Sequence, residues 1–362
     1  MASLGRRIFR ESQFLWTETF FFSLLPWLER VYYWAVVKMS ESSSSNKEKA
    51  DFSITQKRNR SISIFFRLTR FQFTPLIFLP ALVGAGLAYY DNGHLLNIAY
   101  LGLTLLGVIL LHLGANAIDD CYDFENDVDR IANSMFPPDF GGWKPIPRGL
   151  ISLRSAKLVS YALISGSLAV ASVLSILVGY WALVFATIGA FLAIIYTAPP
   201  FKLDYRGLGL GEASILFAFG PLPALGSFYV QTHQLSWTAF LLSLPLGLMT
   251  VTILIDHDAI FFEVYKEAGK LSLATVLGRR NALRISMIFS LTAYAGVILM
   301  VAFGTIPVWS LASPLISGLV LSRKSRTYSR PNEPPPFYVP FTQNGMIADW
   351  LFSLILFITL MI

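Results

Sequence analysis

From Phe73 to its end the chain alternates long apolar stretches with short polar ones. A helix that crosses a bilayer needs about 20 mostly apolar residues. Nine stretches are candidates: roughly Phe73–Tyr90, Leu95–Ala117, Leu158–Val178, Trp181–Tyr196, Gly211–Val230, Trp237–Ile255, Ile285–Phe303, Ile306–Leu321 and Ile347–Ile362, the fourth, eighth and ninth being short. The pattern predicts an all-α, polytopic membrane protein. Composition agrees, with 54% hydrophobic and only 14% charged residues, against about 25% charged in soluble domains.

The basic residues check the spans independently. Of the 17 Lys and Arg from Arg70 onward, Arg70 precedes the first span and the other sixteen lie in the even-numbered loops. The odd-numbered loops have none. Lys and Arg favour the cytosolic side, so the N-terminus and the even loops are expected in the cytosol, and nine spans put the C-terminus outside. A prokaryotic plasma membrane fits this orientation. Tyr89, Tyr90, Tyr180, Trp181, Tyr229 and Trp237 cluster near the short odd loops as an outer aromatic belt.

Residues 1–64 fit this plan poorly and are read as an N-terminal extension, partly disordered or interfacial, ahead of a membrane domain over 65–362. Phe14–Val37 is apolar and aromatic but carries Glu18, Glu29 and Arg30. It could form an interfacial helix or lie outside the working protein. The polar run after Met39 has a disordered composition. Near the other end, the proline-rich run Ser329–Pro340 reads as a stiff connector.

Charge then locates candidate chemistry. The net charge of +6 is modest, and nothing in the pattern calls for nucleic acid or an obligate protein partner. One cysteine, Cys121, excludes an intramolecular disulfide and a multi-cysteine metal site. Acids near membrane depth are costly and usually functional. One group closes the second span, from Asn116 to Arg130. Continued as a helix, Asn116, Asp120, Asp123 and Asp127 share a face, with Asp119 and Asp129 to either side. A second group closes the sixth span, where Asp256 and Glu263 share a face, Asp258 lies on another, and Lys266 and Lys270 continue the Glu263 side. An acidic run after a span is often only a solvated loop. Two such runs, helically spaced on one side and each followed by basic residues, fit a metal with a diphosphate: hard oxygens suit Mg²⁺, and Lys and Arg suit phosphate. His112 reads as a packed residue and His257 as a structural one. There is no Gly-rich nucleotide loop, zinc spacing or serine elbow.

At these residues the chain resembles the UbiA superfamily of intramembrane prenyltransferases, from about Phe65 to the end. The pattern N-x-x-x-D-x-x-D-x-x-x-x-x-D falls on Asn116, Asp120, Asp123 and Asp129. The segments "KPIPRGLIS" and "YTAPPFKLDYRGLGLGE" are also similar to the family's, with Lys144 where an arginine is usual. The run "FGPLPALGSFYVQT" resembles the branch that prenylates 1,4-dihydroxy-2-naphthoate. One departure stands out: the second motif is commonly D-x-x-x-D, but Ile260 lies four residues after Asp256. Asp258 or Glu263 is then the candidate replacement.

The resemblance implies a nine-helix bundle around a central cavity with cytosolic cap loops. It implies Mg²⁺-dependent transfer of a prenyl group from a prenyl diphosphate to an aromatic or lipid acceptor. Asn116, Asp120 and Asp123 would hold one Mg²⁺, and Asp256 with Glu263 another. Arg130, Lys144, Lys202, Arg206 and Lys270 would face the diphosphate, and Tyr196 and Tyr205 the acceptor. Asp120, Asp123 and Asp256 are the residues expected to be catalytic. Alternatives left open are a lipid acceptor such as a prenylated glycerol phosphate, a non-catalytic relative, and a cation-coupled transporter. Against the transporter, the acids lie at span ends and the halves show no inverted symmetry.

Overall fold

The computed structural model describes residues 61–136, 144–207, 209–326 and 334–362. The readings made for residues 1–60 lie outside them. The chain divides into two compact units between Phe65 and Phe66, and the second, Phe66–Ile362, holds all the elements described below. Every regular element among its described residues is helical.

The helices begin where polar caps meet apolar runs. Helix α1 covers Pro75–Asp91. In α2, Ile98–Glu125, Asn97 caps the start by accepting from the Tyr100 N–H at 3.1 Å. A short α3, Val128–Met135, comes next. Ser152 caps α4, Leu153–Val178, by accepting from Ser155 N–H at 3.1 Å. Then come α5, Trp181–Thr197, α6, Leu210–Phe219, and α7, Pro221–Thr232. Ser236 caps α8, Trp237–Ile260. The rest of the chain forms α9, Phe262–Glu267; α10, Leu273–Leu277; α11, Arg279–Ala302; α12, Ala312–Leu321; and α13, Val339–Leu360.

Each expected span contains a helix, but the count of nine crossings is not reproduced. Seven helical segments among the described residues are long and apolar enough to cross, with α6 and α7 together making one of them. The helix in the fourth span has 17 residues, and that in the eighth is a ten-residue α-helix extended by 3-10 turns over Val308–Leu311 and Ser322–Arg326. The protein is an integral, multi-pass membrane protein. Exposed apolar side chains such as Leu158, Ile176, Leu299 and Leu319 cover its outside, a surface suited to lipid.

The largest core joins α1, α7, α8, α11, α12 and α13 through Val83, Leu87, Phe228, Leu246, Met249, Val297, Leu321, Phe352 and Leu356. Without a hydrophobic drive between helices in lipid, close packing rests on small residues. The fifth expected span breaks at Gly220, where α6 meets α7 against α8. A Cβ on Gly220 would lie 2.5 Å from Ser243 O, and one on Gly247 would lie 2.3 Å from Leu216 O. Pro221 then restarts the helix at its first position.

Two further breaks position the site. Asn126 ends α2, and Asp127 at φ 61° turns the chain into α3. Phe261 separates α8 from α9. Val128 and Ile131 of α3 then pack with Ala259, Ile260, Val264 and Tyr265. The ends of the two acidic segments therefore share one small core.

Gly247→Leu is expected to separate α6 from α8, costing about 1–3 kcal/mol by overpacking. Thermal unfolding in detergent, followed by size-exclusion recovery, should show a clear loss, while Gly102→Ala, where a Cβ meets nothing within 4 Å and the backbone is helical, should lose far less.

Candidate active site

Helical periodicity through the last turns of α2 keeps the first acidic group on one face. Asp120 is 2% and Asp123 4% exposed. Asp119, Asp120 and Asp123 each offer a carboxylate oxygen, and these oxygens lie within 4.8 Å of one another. Asn116 lies beside them, donating through Nδ2 to Thr69 O at 3.1 Å, with His112 Nε2 at 3.0 Å. Asp127 does not join the face as the continued helix predicted. The left-handed turn takes it outward to an exposed pair with Arg130 at 2.8 Å. Asp129, two residues into α3, returns to the buried side at 4% exposure.

Carboxylates this close repel unless cations reach them. Arg70 meets Asp119 Oδ2 at 3.1 Å and is in direct contact with Asp120 Oδ1. Lys144 lies 2.7 Å from Asp129, 3.2 Å from Asp120 and 3.4 Å from Asp123. Burial opposes the charge on Lys144, but the carboxylates of Asp120, Asp129 and Asp123 hold its ammonium well above its ordinary pKa.

The loop after α5 supplies the next wall. Lys202, left-handed at φ 45°, donates to Asn126 Oδ1 at 2.6 Å. Tyr205 donates to Asp123 Oδ1 at 3.4 Å. Lys270 pairs directly with Asp204, and its ammonium lies 4.3 Å from the Tyr265 ring centre and 5.3 Å from that of Tyr205. Burial pushes Asp204 up to about 6, against the pull of Lys270. Tyr196 has Asp204, Lys270 and Asp258 among its charged neighbours.

The second acidic segment departs from expectation. Asp256 is fully buried, but it is bound by the Lys324 ammonium and accepts from the Ser286 hydroxyl at 2.6 Å. Glu263, across the break at Phe261, is 55% exposed and 3.9 Å from Arg279. The shared face assumed one continuous helix, which the break removes. Asp258 is the acid of this segment that has Lys270 and Asp123 among its charged neighbours, and neither of its buried oxygens has a well-formed hydrogen bond. Lys270 reaches the cluster because Gly269, at φ 70°, ends the α9 turn and the Lys270 N–H donates to Tyr265 O at 2.8 Å.

Of the expected diphosphate residues, the structure sets Lys144 against Asp120, Asp123 and Asp129, Lys270 against Asp204, and Lys202 beside them on Asn126 and the Tyr205 ring. Arg130 is exposed at the rim, 74% by side chain. Arg206 turns onto the backbone, donating to Pro200 O at 2.7 Å and Phe201 O at 2.8 Å. Arg70, Asp204, Tyr265 and Lys324 were absent from the expected set. Arg70 was legible only as a lone cation just before the first span.

The donor set fits a hard divalent cation: clustered carboxylates on one helical face, with the buried Asp119 Oδ1 and Asp129 Oδ2 lacking partners. Fixed cations beside it fit a phosphate-bearing ligand.

Comparison with known proteins decides the family. Residues 77–348 match the model of the UbiA prenyltransferase family. The chain belongs to the UbiA prenyltransferase family, and it is a prenyltransferase. Among its relatives is the 1,4-dihydroxy-2-naphthoate octaprenyltransferase of Haemophilus influenzae, 26% identical over 82% of this chain and 96% of that one. The UbiA prenyltransferase domain-containing protein 1 of Dictyostelium discoideum is 31% identical over 59% of this chain, and the match spans 63% of its length. A UbiA homolog from Archaeoglobus fulgidus, solved bound to GPP and Mg²⁺, shares the fold, with a TM-score of 0.60 and 20% identity over 83% of this chain and all of that one.

The Asp256–Lys324 pair is structural in this geometry. Lys324→Met should cost about 3–5 kcal/mol by leaving a buried charge unpaired. Adding Asp256→Leu should recover most of that loss. Unfolding of the single and double variants in detergent measures both.

Proposed function

We propose that this prenyltransferase moves a polyprenyl group from a prenyl diphosphate to an aromatic acceptor, 1,4-dihydroxy-2-naphthoate, with Mg²⁺ held by Asp119, Asp120 and Asp123. The observation that carries this is the meeting of those three carboxylates with Arg70 and Lys144, with the charge of Lys270 also acting on Asp123. Two bacterial relatives matched over more than nine-tenths of their length are 1,4-dihydroxy-2-naphthoate octaprenyltransferases, which supports that acceptor and a place in menaquinone synthesis.

Bound Mg²⁺ would supply Lewis-acid stabilisation of the leaving diphosphate. Lys144, Lys202 and Lys270 are already paired inside the protein, so they meet the diphosphate with little reorganisation and take up its developing charge. The C1–O bond of the prenyl chain breaks and leaves an allylic cation. The ring carbon of the acceptor attacks it, and the naphthoate loses its carboxyl group as carbon dioxide. Tyr196 and Tyr205, beside the cations, border the acceptor. The surrounding apolar helices exclude water that would quench the cation, and lipid takes the prenyl tail. The uneven distribution of Lys and Arg among the loops supports a site on the cytosolic side of a prokaryotic plasma membrane, with the transferase domain over residues 65–362.

Purified protein with Mg²⁺, 1,4-dihydroxy-2-naphthoate and radiolabelled geranylgeranyl diphosphate should give a prenylated naphthoquinol, recovered as the quinone after oxidation in air, that vanishes with EDTA. Asp120→Ala should lower turnover at least about 10²-fold, while Arg130→Ala, at the exposed rim, changes it less than about threefold. Product only with a prenylated glycerol phosphate would change the acceptor. No diphosphate release with either acceptor would contradict the proposal.

A further inference from the structure

A fixed ammonium stands where the second acidic segment was expected to gather an ion. We propose that this chain works with one divalent cation, at Asp119, Asp120 and Asp123, and that Lys270 stands in for a second one. The inference rests on the prenyl-diphosphate reading above and adds to it.

Asp256 is not available to a metal. Its Oδ1 accepts from Ser286 at 2.6 Å, and its Oδ2 is held by Lys324, the two charged side chains being 0% and 1% exposed. Gly345 closes the pair: a Cβ there would meet Lys324 Nζ at 2.9 Å and Asp256 Oδ2 at 3.0 Å. An ion could reach this carboxylate only by expelling a buried ammonium. Glu263 is more than half exposed beside Arg279, unlike the buried acids of the cluster.

The remaining acids near Tyr196 are Asp204 and Asp258, and the charge of Lys270 lies among them. Lys270 pairs directly with Asp204, and its positive charge also acts on Asp258, whose own two oxygens have no well-formed hydrogen bond. Its side chain is 5% exposed and packed over the Tyr265 and Tyr205 rings, so the charge is fixed in place. A dication at the same acids would be repelled by it. Among the described residues, the only group of three or more acids and histidines with ligand atoms this close is Asp119, Asp120 and Asp123. A lysine carries one charge and three donors. One donor goes to Asp204, which leaves the others for diphosphate oxygens. Lys270 can therefore neutralise the leaving group, as a second cation would, without depending on free metal.

The test counts ions rather than turnover. Purified wild-type protein is titrated with Mn²⁺, alone and with inorganic pyrophosphate, and free Mn²⁺ is read by electron paramagnetic resonance. One ion per chain is expected under both conditions. Asp120→Asn should remove it, and Asp258→Asn and Glu263→Gln should keep it. Lys270→Gln should keep the count at one while weakening pyrophosphate binding at least tenfold, with Lys270→Arg recovering most of the affinity. Arg at this position also keeps the charge that Asp204 needs for folding, so it serves if the Gln variant fails to fold. Two ions per chain, one lost in Asp258→Asn or Glu263→Gln, would overturn the inference and leave the prenyl-diphosphate reading intact. Unchanged pyrophosphate affinity in Lys270→Gln would also overturn it. No bound ion even with pyrophosphate would overturn the metal-dependent reading and this inference together.

Discussion

Repulsion among Asp119, Asp120 and Asp123, at the buried end of one helix, governs how this site is built. Three carboxylates so close are tolerable only with cations against them. Arg70 arrives from before α1 and Lys144 from the segment between α3 and α4. Lys270 adds its charge from beyond α9. The first and last of these are far apart in sequence, so folding the loop end of the bundle and assembling the charge cluster are one event. Removing an acid would strand cations, and removing a cation would strand acids.

That coupling explains the backbone features around the cluster. Asp127 and Lys202 take left-handed conformations at turns, and Gly269 provides another. Each turn brings a charged or polar group back toward α2: Asp129 after the first, Asn126's partner Lys202 at the second, Lys270 after the third. The aromatic rings of Tyr205 and Tyr265 also pack against the Lys270 ammonium, combining cation–π attraction with burial.

Much of this was legible in the sequence, for identifiable reasons. Apolar runs and the uneven Lys and Arg distribution report the bilayer directly, so the helix positions followed. The spacing of Asn116, Asp120 and Asp123 followed from one unbroken helix. The errors share a cause, which is extrapolation of a helix past a break. Periodicity carried Asp127 onto the site face and joined Asp256 to Glu263, but the turns at Asn126 and Phe261 end that periodicity. Arg70, Asp204 and Lys324 were not legible as site or pairing residues because contacts between distant segments leave no local pattern. Arg206 shows the converse: its segment resembled a phosphate-facing one, but its guanidinium closes the loop on two carbonyls.

In the proposed reaction the diphosphate departs from the cluster at the end of α2, and the second acidic segment takes no part in metal binding. An experimental structure of the protein with Mn²⁺ and a non-hydrolysable prenyl diphosphate, phased to show anomalous scatterers, would put both statements to the test at once. One anomalous peak is expected, at about 2.0–2.3 Å from carboxylate oxygens of Asp119, Asp120 and Asp123, with Lys144 and Lys270 on the diphosphate. A peak coordinated by Asp256 or Glu263, or a diphosphate bound away from the end of α2, would contradict it.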